Sequence, residues 1–200
     1  MVRKKRDTSR KREAILDAAV EAFRDEGYDN TSMDRIAEIA AASKRTVYNH
    51  FPSKDILFQA VFDRFIEETN TLKRVRYDAS RSLETQLSEF ADAKLALFEN
   101  PAWLGLMKVA LTTFIRDTEL ARLTMSKYEE GENSLAIWLK SAAADGRLDV
   151  TNATLSATVF WSMVSGALIW PQLLSGALTA RQITALKKEL IKTFLCRHLP

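Results

Sequence analysis

Between Thr31 and Lys54 the chain reads TSMDRIAEIAAASKRTVYNHFPSK, and this stretch narrows the possible folds more than any other. A serine or threonine stands ahead of each of three helical patterns. Thr31, with Asp34 three residues on, fits a capping box, and Ser32 is the alternative cap. Ser43 offers its hydroxyl to the open N-terminus of the next helix, and Ser53 to the one after. Pro52 stops the second helix from running on. Met33, Ile36, Ala37 and Ala40 mark one apolar face, and Val47 and Phe51, four residues apart, mark another. Small Ala40, Ala41 and Ala42 let two helices cross closely at the turn. An alanine there must accept a non-ideal backbone geometry or reshape the turn. Helices of about seven residues cannot bury a face alone, so the segment demands a longer neighbour.

That neighbour lies upstream. From Arg10 to Phe23, Ala14, Ile15, Ala18, Ala19, Ala22 and Phe23 recur at helical spacing, and Gly27 ends the helix. Residues 1–54 therefore form a three-helix helix-turn-helix head, with a long helix starting at Lys54. The head resembles the DNA-binding domain of the TetR/AcrR family of bacterial transcriptional regulators. The resemblance rests on Ile15, Ala18, Ala19, Phe23, Gly27, Tyr28, Thr31, Ser32, Ile36, Ala37, Ala40, Ser43, Thr46, Tyr48, His50, Phe51, Ser53, Lys54 and Leu57. The family often has Gly-Val where this chain has Ala41-Ala42, Gly where it has Arg45, and a second Tyr where it has Asn49.

The resemblance implies double-stranded operator DNA as partner. It implies that Tyr48, His50 and Lys54 hold the DNA backbone, and that Thr31 or Ser32 caps a helix whose N-terminus meets a phosphate. From the residues themselves, Ser43 caps the recognition helix and Arg45 can donate twice to guanine O6 and N7. Lys44 reaches a base or a phosphate, and Thr46 and Tyr48 reach phosphates or a thymine methyl. Asn49 either reads adenine or faces solvent, and His50 either holds a phosphate or closes the core of the head. The changes at Arg45 and Asn49 alter which bases are read.

Residues 55–200 form a larger helical body, so the fold class is all-α. Helical patterns run from Lys54 to Arg76, from Ser82 to Phe98, from Pro101 with a stripe of Trp103, Met107, Ala110 and Phe114, and from Glu119 to Ala144, with Gly131 as an interruption. From Val150 to Ala180 there is no charged residue. Serines, threonines, Pro171 and Gly176 punctuate this run, so a helix buried on both sides explains it better than a membrane span. A Thr179–Gln182 capping box opens the last helix.

The family resemblance implies that the last two helices build a four-helix homodimer interface, and small Ser162, Ser165, Gly166 and Ala167 suit close approach. A short recognition helix reads few base pairs, which independently favours two heads on a palindrome. The resemblance also implies a cavity for a small-molecule effector. Trp103, Met107, Phe114, Tyr128, Phe160, Trp161 and Met163 are the candidate ligand-binding residues, and apolar walls suit a hydrophobic or aromatic compound. Thr113, Ser162 and Gln172 are candidate orienting groups.

The net charge of +3 is unevenly placed. Residues 1–12 carry Arg3, Lys4, Lys5, Arg6, Arg10, Lys11 and Arg12 against Asp7 alone, whereas the rest of the head is acidic on balance. A basic N-terminal arm suits phosphates or a minor groove, against the plainer reading of a solvated tail. Cys196 is the single cysteine, which excludes an internal disulfide and fits a reducing cytoplasm. No apolar run follows the N-terminal charges, so no secretory signal is expected. His50 and His198 lack ligand partners at helical spacing, and there is no phosphate loop, Cys-x-x-Cys or nucleophile elbow. The expectation is therefore a regulator rather than an enzyme, with no metal and no cofactor. The alternative is a helical protein-interaction module or a ligand-independent DNA binder.

Overall fold

A computed structural model describes the backbone of residues 2–68 and 75–200, and the side chains of residues 8–65, 75–125 and 134–200. Every regular element among the described residues is helical. In chain order these are α1 (Val2–Glu26), α2 (Met33–Ile39), α3 (Lys44–His50), α4 (Lys54–Glu68), α5 (Leu83–Glu99), α6 (Pro101–Arg116) and α7 (Thr118–Ala144), then α8 (Ala153–Val164), a π-helical segment (Ser165–Ile169), α9 (Trp170–Leu174) and α10 (Ala180–His198).

Local chemistry sets most of these boundaries. Gly27 (φ +79°) ends α1, its N–H reaching the Phe23 carbonyl at 3.0 Å. Gly146 (φ +69°) ends α7 in a Schellman turn: Arg147 N–H bonds Ala142 O and Gly146 N–H bonds Ala143 O, both at 3.0 Å. Ser82 caps α5, and Thr179 and Gln182 close a reciprocal capping box on α10.

Four boundaries differ from the sequence expectation. α1 begins at Val2 rather than near Arg10, because arginine and lysine are good helix formers and nothing in the basic run breaks a helix. α4 is described as far as Glu68, residues 69–74 lie outside the described residues, and Arg76 is non-helical. α7 runs without a break through Gly131, since one glycine costs a helix interior only about 1 kcal/mol. The Ala153–Leu174 helix carries a π-helical segment. Pro171 lacks an N–H and crowds the carbonyl four residues back, so the chain widens ahead of it. The side-chain amide of Gln172 donates to the Leu168 carbonyl at 2.7 Å there, so this candidate orienting group serves its own backbone.

The chain divides into two compact units. The first unit holds residues 1–68 and 101–127. In it α1 packs against α2, α4 and α6. Its centre is aromatic: Phe58 meets Phe23, Tyr28, Phe62 and Phe114, and Trp103 meets Phe62 and Phe65. α6 therefore shares a core with α1 and α4. Gly105 lets α6 approach α1, since a Cβ there would sit 3.0 Å from Arg24 Cγ.

The second unit holds residues 69–100 and 128–200. Here α10 packs on α5, α8 and the π segment. Phe90 meets Trp138 and Trp161 edge-on, and Phe160 meets Trp161 and Phe194. Gln86 is fully buried. Its Oε1 accepts from Trp138 Nε1 at 3.0 Å and Asp78 N–H at 2.8 Å, and its Nε2 donates to Asp78 O at 2.9 Å. Ala153–Leu174 is long and apolar enough to cross a membrane by length and composition, yet Phe160, Trp161, Val164 and Leu168 are buried within this unit.

Candidate nucleic-acid interface

The interface is built on α2, the turn after it, and α3. Ser32 caps α2, its Oγ accepting from Arg35 N–H at 3.1 Å. Thr31, the other candidate, is buried; its hydroxyl is shared between the Ala22 and Gly27 carbonyls at 3.1 and 2.7 Å. Thr31 therefore ties the end of α1 to the start of α2, and the serine alone of the pair is exposed.

The turn between α2 and α3 is a second Schellman turn, with Ala42 N–H on Ala37 O and Ala41 N–H on Glu38 O. It forces Ala41 to φ +47°, the one left-handed non-glycine residue among those described. A side chain there costs about 1–2 kcal/mol. Ala41→Gly relieves this and loses part of the gain to unfolded-chain entropy, so it raises stability by roughly 0.5–1 kcal/mol. The urea midpoint checks this, and a lower midpoint contradicts it.

Ser43 caps α3, accepting from Thr46 N–H at 3.1 Å, with Thr46 Oγ1 2.8 Å from Ser43 Oγ. Val47 (0% exposed) and Phe51 (2%) pin α3 against the head. The opposite surface presents Lys44, Arg45, Tyr48 and Asn49, all exposed, with Thr46 and His50 half-buried at its edges. Arg45 and Asn49 have no partner among the described residues. Lys44 reaches Asp34 of α2 at 2.5 Å, and that hydrogen bond, with the attraction behind it, raises its pKa. His50 lies beside Phe51, with ring centroids 6.3 Å apart.

Lys54, expected on the DNA backbone, has its ammonium turned inward. It donates to the carbonyls of Tyr28, Thr31 and Asp29 at 2.7, 3.1 and 3.3 Å, and lies 4.4 Å above the Tyr28 ring. The Tyr28 hydroxyl donates to the Asp55 carboxylate, and burial followed by that bond raises its pKa. Sequence reasoning missed this clasp, and it missed the contact of Arg12 with Phe51, the guanidinium lying 5.3 Å from the ring centroid. Arg10, Lys11 and Arg12 are exposed on α1, and the side chains of Arg3, Lys4, Lys5 and Arg6 lie outside the described residues. Among the described residues no group of three His, Cys, Asp or Glu could hold a metal ion.

The candidate effector residues do not all fall together. Trp103, Met107 and Phe114 belong to the first unit; Phe160, Trp161 and Met163 belong to the second; the Tyr128 side chain lies outside the described residues. The Thr113 hydroxyl bonds the Val109 carbonyl of its own helix, and Ser162 is exposed.

A pinned, capped short helix showing an unpaired arginine, a tyrosine and an amide defines a helix-turn-helix DNA-binding regulator. Residues 15–61 match the family described as bacterial regulatory proteins of the tetR family, and residues 85–199 match the C-terminal domain of AefR-like transcriptional repressors. A TetR-family regulator from Pseudomonas syringae pv. tomato str. DC3000 is 32% identical, with a TM-score of 0.78 over 94% of this chain and 96% of that one. The flavonoid-responsive regulator FrrA is 30% identical, with a TM-score of 0.76 over 96% of this chain and 98% of its own. The transcriptional repressor ComR of Escherichia coli (strain K12) is 28% identical over 70% of this chain and 71% of that protein. The chain belongs to the TetR family of bacterial transcriptional regulators, and it is a DNA-binding protein, not an enzyme.

Proposed function

We propose that this chain is a homodimeric cytoplasmic repressor that holds a palindromic operator through residues 1–54 and releases it when a small hydrophobic or aromatic effector binds within residues 55–200. The observation that carries the reading is the exposed face of α3, with Arg45 aimed by a cap and a buried underside rather than by contacts of its own.

Dimerisation is supported by the second unit. Leu155, Val159, Trp170 and Leu174 are exposed along an uncharged surface, Ser162 and Gly166 lie between them, and Leu186 of α10 is also exposed. An apolar surface of this kind marks an interface. Effector binding is supported by Lys94, buried in α5 with its ammonium 4.6 Å above the Trp161 ring. The buried Trp161 Nε1 has no hydrogen-bond partner among the described residues. Donors among aromatic rings suit an aromatic compound bearing oxygen. FrrA is named for its response to flavonoids. Release follows if the effector prefers a state in which the two heads no longer match the groove spacing.

Selection of bound sequences from a random DNA pool at physiological salt tests this. The expected result is a palindrome whose half-sites are centred about one helical turn apart. Arg45→Ala then costs roughly 1–3 kcal/mol and relaxes one base position per half-site. No enrichment, with binding that only fades as salt rises, would reduce the head to an electrostatic anchor.

A further inference from the structure

Along one flank of α10 the second unit has an open groove of about 500 Å³. Thr184, Lys188, Ile191 and Leu195 recur at the spacing of one helix face and look across at Glu84, Thr85 and Ser88 of α5. The floor is apolar: Ile191 and Leu195 are buried, and half-exposed Leu199 extends it at the end.

The polar groups around this floor divide into two kinds. The hydroxyls already have local partners. Thr85 bonds Ser82 at 2.7 Å, Ser88 bonds Asp92 at 3.2 Å, and Thr184 bonds the Ala180 carbonyl at 2.9 Å. Lys187 is likewise held, by Asp92 at 2.6 Å. Lys188 and Lys192 are exposed on the rim and have no partner among the described residues, with Glu84 the one carboxylate in the lining. The groove thus offers an apolar bed and two unengaged point charges on flexible stems.

Size and position narrow the occupant. About 500 Å³ lies in the range of small-molecule sites, whereas a helix 10–12 Å across would fill it with little more than a turn. The groove is also separate from the uncharged surface. Lys187 points at α5, so Leu186 and Lys188, each about 100° from it, lie on opposite flanks of α10. Phe194 and His198, which meet Phe160 and Ser156 of α8, fall within about 20° of Lys187, so the contacts of α10 with α8 lie between the two flanks. The exposed apolar residues Leu155, Val159, Trp170, Leu174 and Leu186 share no member with the groove lining.

We propose that this groove is a binding site for an amphiphilic carboxylate, a medium-chain fatty acid anion. Its tail lies along Ile191, Leu195 and Leu199, and its head group sits between Lys188 and Lys192. The site stands independently of the effector reading, because it shares no residue with the aromatic set around Trp161.

Cys196, the single cysteine, is exposed on the groove wall and serves as reporter. The full-length protein is alkylated with iodoacetamide and followed by mass spectrometry, with and without sodium decanoate below its micelle concentration, against free cysteine in the same solution. The expected result is at least fivefold slower alkylation of Cys196 with saturating decanoate. Protection by 1-decanol is expected to be at least threefold weaker. The double variant Lys188→Gln/Lys192→Gln keeps its Tm and loses the decanoate protection. An unchanged rate overturns the proposal, including the case in which decanoate raises Tm without protecting the thiol. Equal protection by decanol, or full protection in the double variant, overturns the assignment of an anion.

Discussion

Phe58→Ala lowers stability by roughly 3–5 kcal/mol, the range for emptying a large aromatic from a packed core. The ring is fully buried and sits where four elements meet. Its centroid is 5.2 Å from Phe23 of α1, 4.8 Å from Tyr28 of the loop beyond, 5.0 Å from Phe62 of α4 and 6.1 Å from Phe114 of α6. Phe23 also packs on Tyr28, and Phe62 on Phe114 and Trp103, so these rings are held by other contacts and most of the cavity remains. Because α3 is pinned through buried Val47 and Phe51 to this same unit, operator binding falls with the folded fraction. Urea unfolding measures the loss, and Phe58→Leu, which keeps much of the volume, costs less. A loss below about 1 kcal/mol for the alanine variant would mean the core closes over the gap.

Gln86→Leu costs roughly 2–5 kcal/mol although the volume barely changes. The amide oxygen is the acceptor for two donors, the Trp138 indole N–H and the Asp78 N–H, and the amide nitrogen serves the Asp78 carbonyl. Leucine leaves these groups without partners, at about 1–3 kcal/mol for each buried donor. Gln86→Glu keeps the acceptor but sets its second oxygen against the Asp78, Arg81 and Ser82 carbonyls, so it is the milder variant only at a pH low enough to protonate the buried carboxyl. Denaturant midpoints of the two variants separate the hydrogen bonds from the packing. Equal losses would assign the effect to shape alone.

The elements that local chemistry determines were legible in the sequence. Ser43, Ser53 and the Thr179–Gln182 pair each place a helix start, and Ile56 N–H indeed bonds Ser53 Oγ at 3.2 Å. The Ala41 turn was legible as a problem, and its positive φ is the physical answer. Ser32 and Thr31 were not separable, because both can accept from an N–H and only tertiary packing buries one of them. The place of α6 beside α1 was hidden for the same reason: its Trp103–Phe114 stripe specifies a buried face but not a partner. Gln86 carried no signal, since a lone glutamine on a helix reads as solvated until Trp138 arrives from more than fifty residues away. In the recognition helix the exposed residues follow directly from the two buried ones, Val47 and Phe51. The inward turn of Lys54 depends on three carbonyls of a loop, which no spacing encodes.

That clasp has a consequence for the ionic atmosphere of the complex. A cation that displaces condensed counterions from DNA steepens the salt dependence of binding by about 0.9 per phosphate neutralised. An ammonium that donates to the Tyr28, Asp29 and Thr31 carbonyls must give up those bonds to sit on a phosphate, and one shared with Asp34 must leave a carboxylate. In this head, therefore, the expected salt slope is shallower than the lysine count alone gives. The exposed cation of the recognition helix that has no partner among the described residues is an arginine, Arg45.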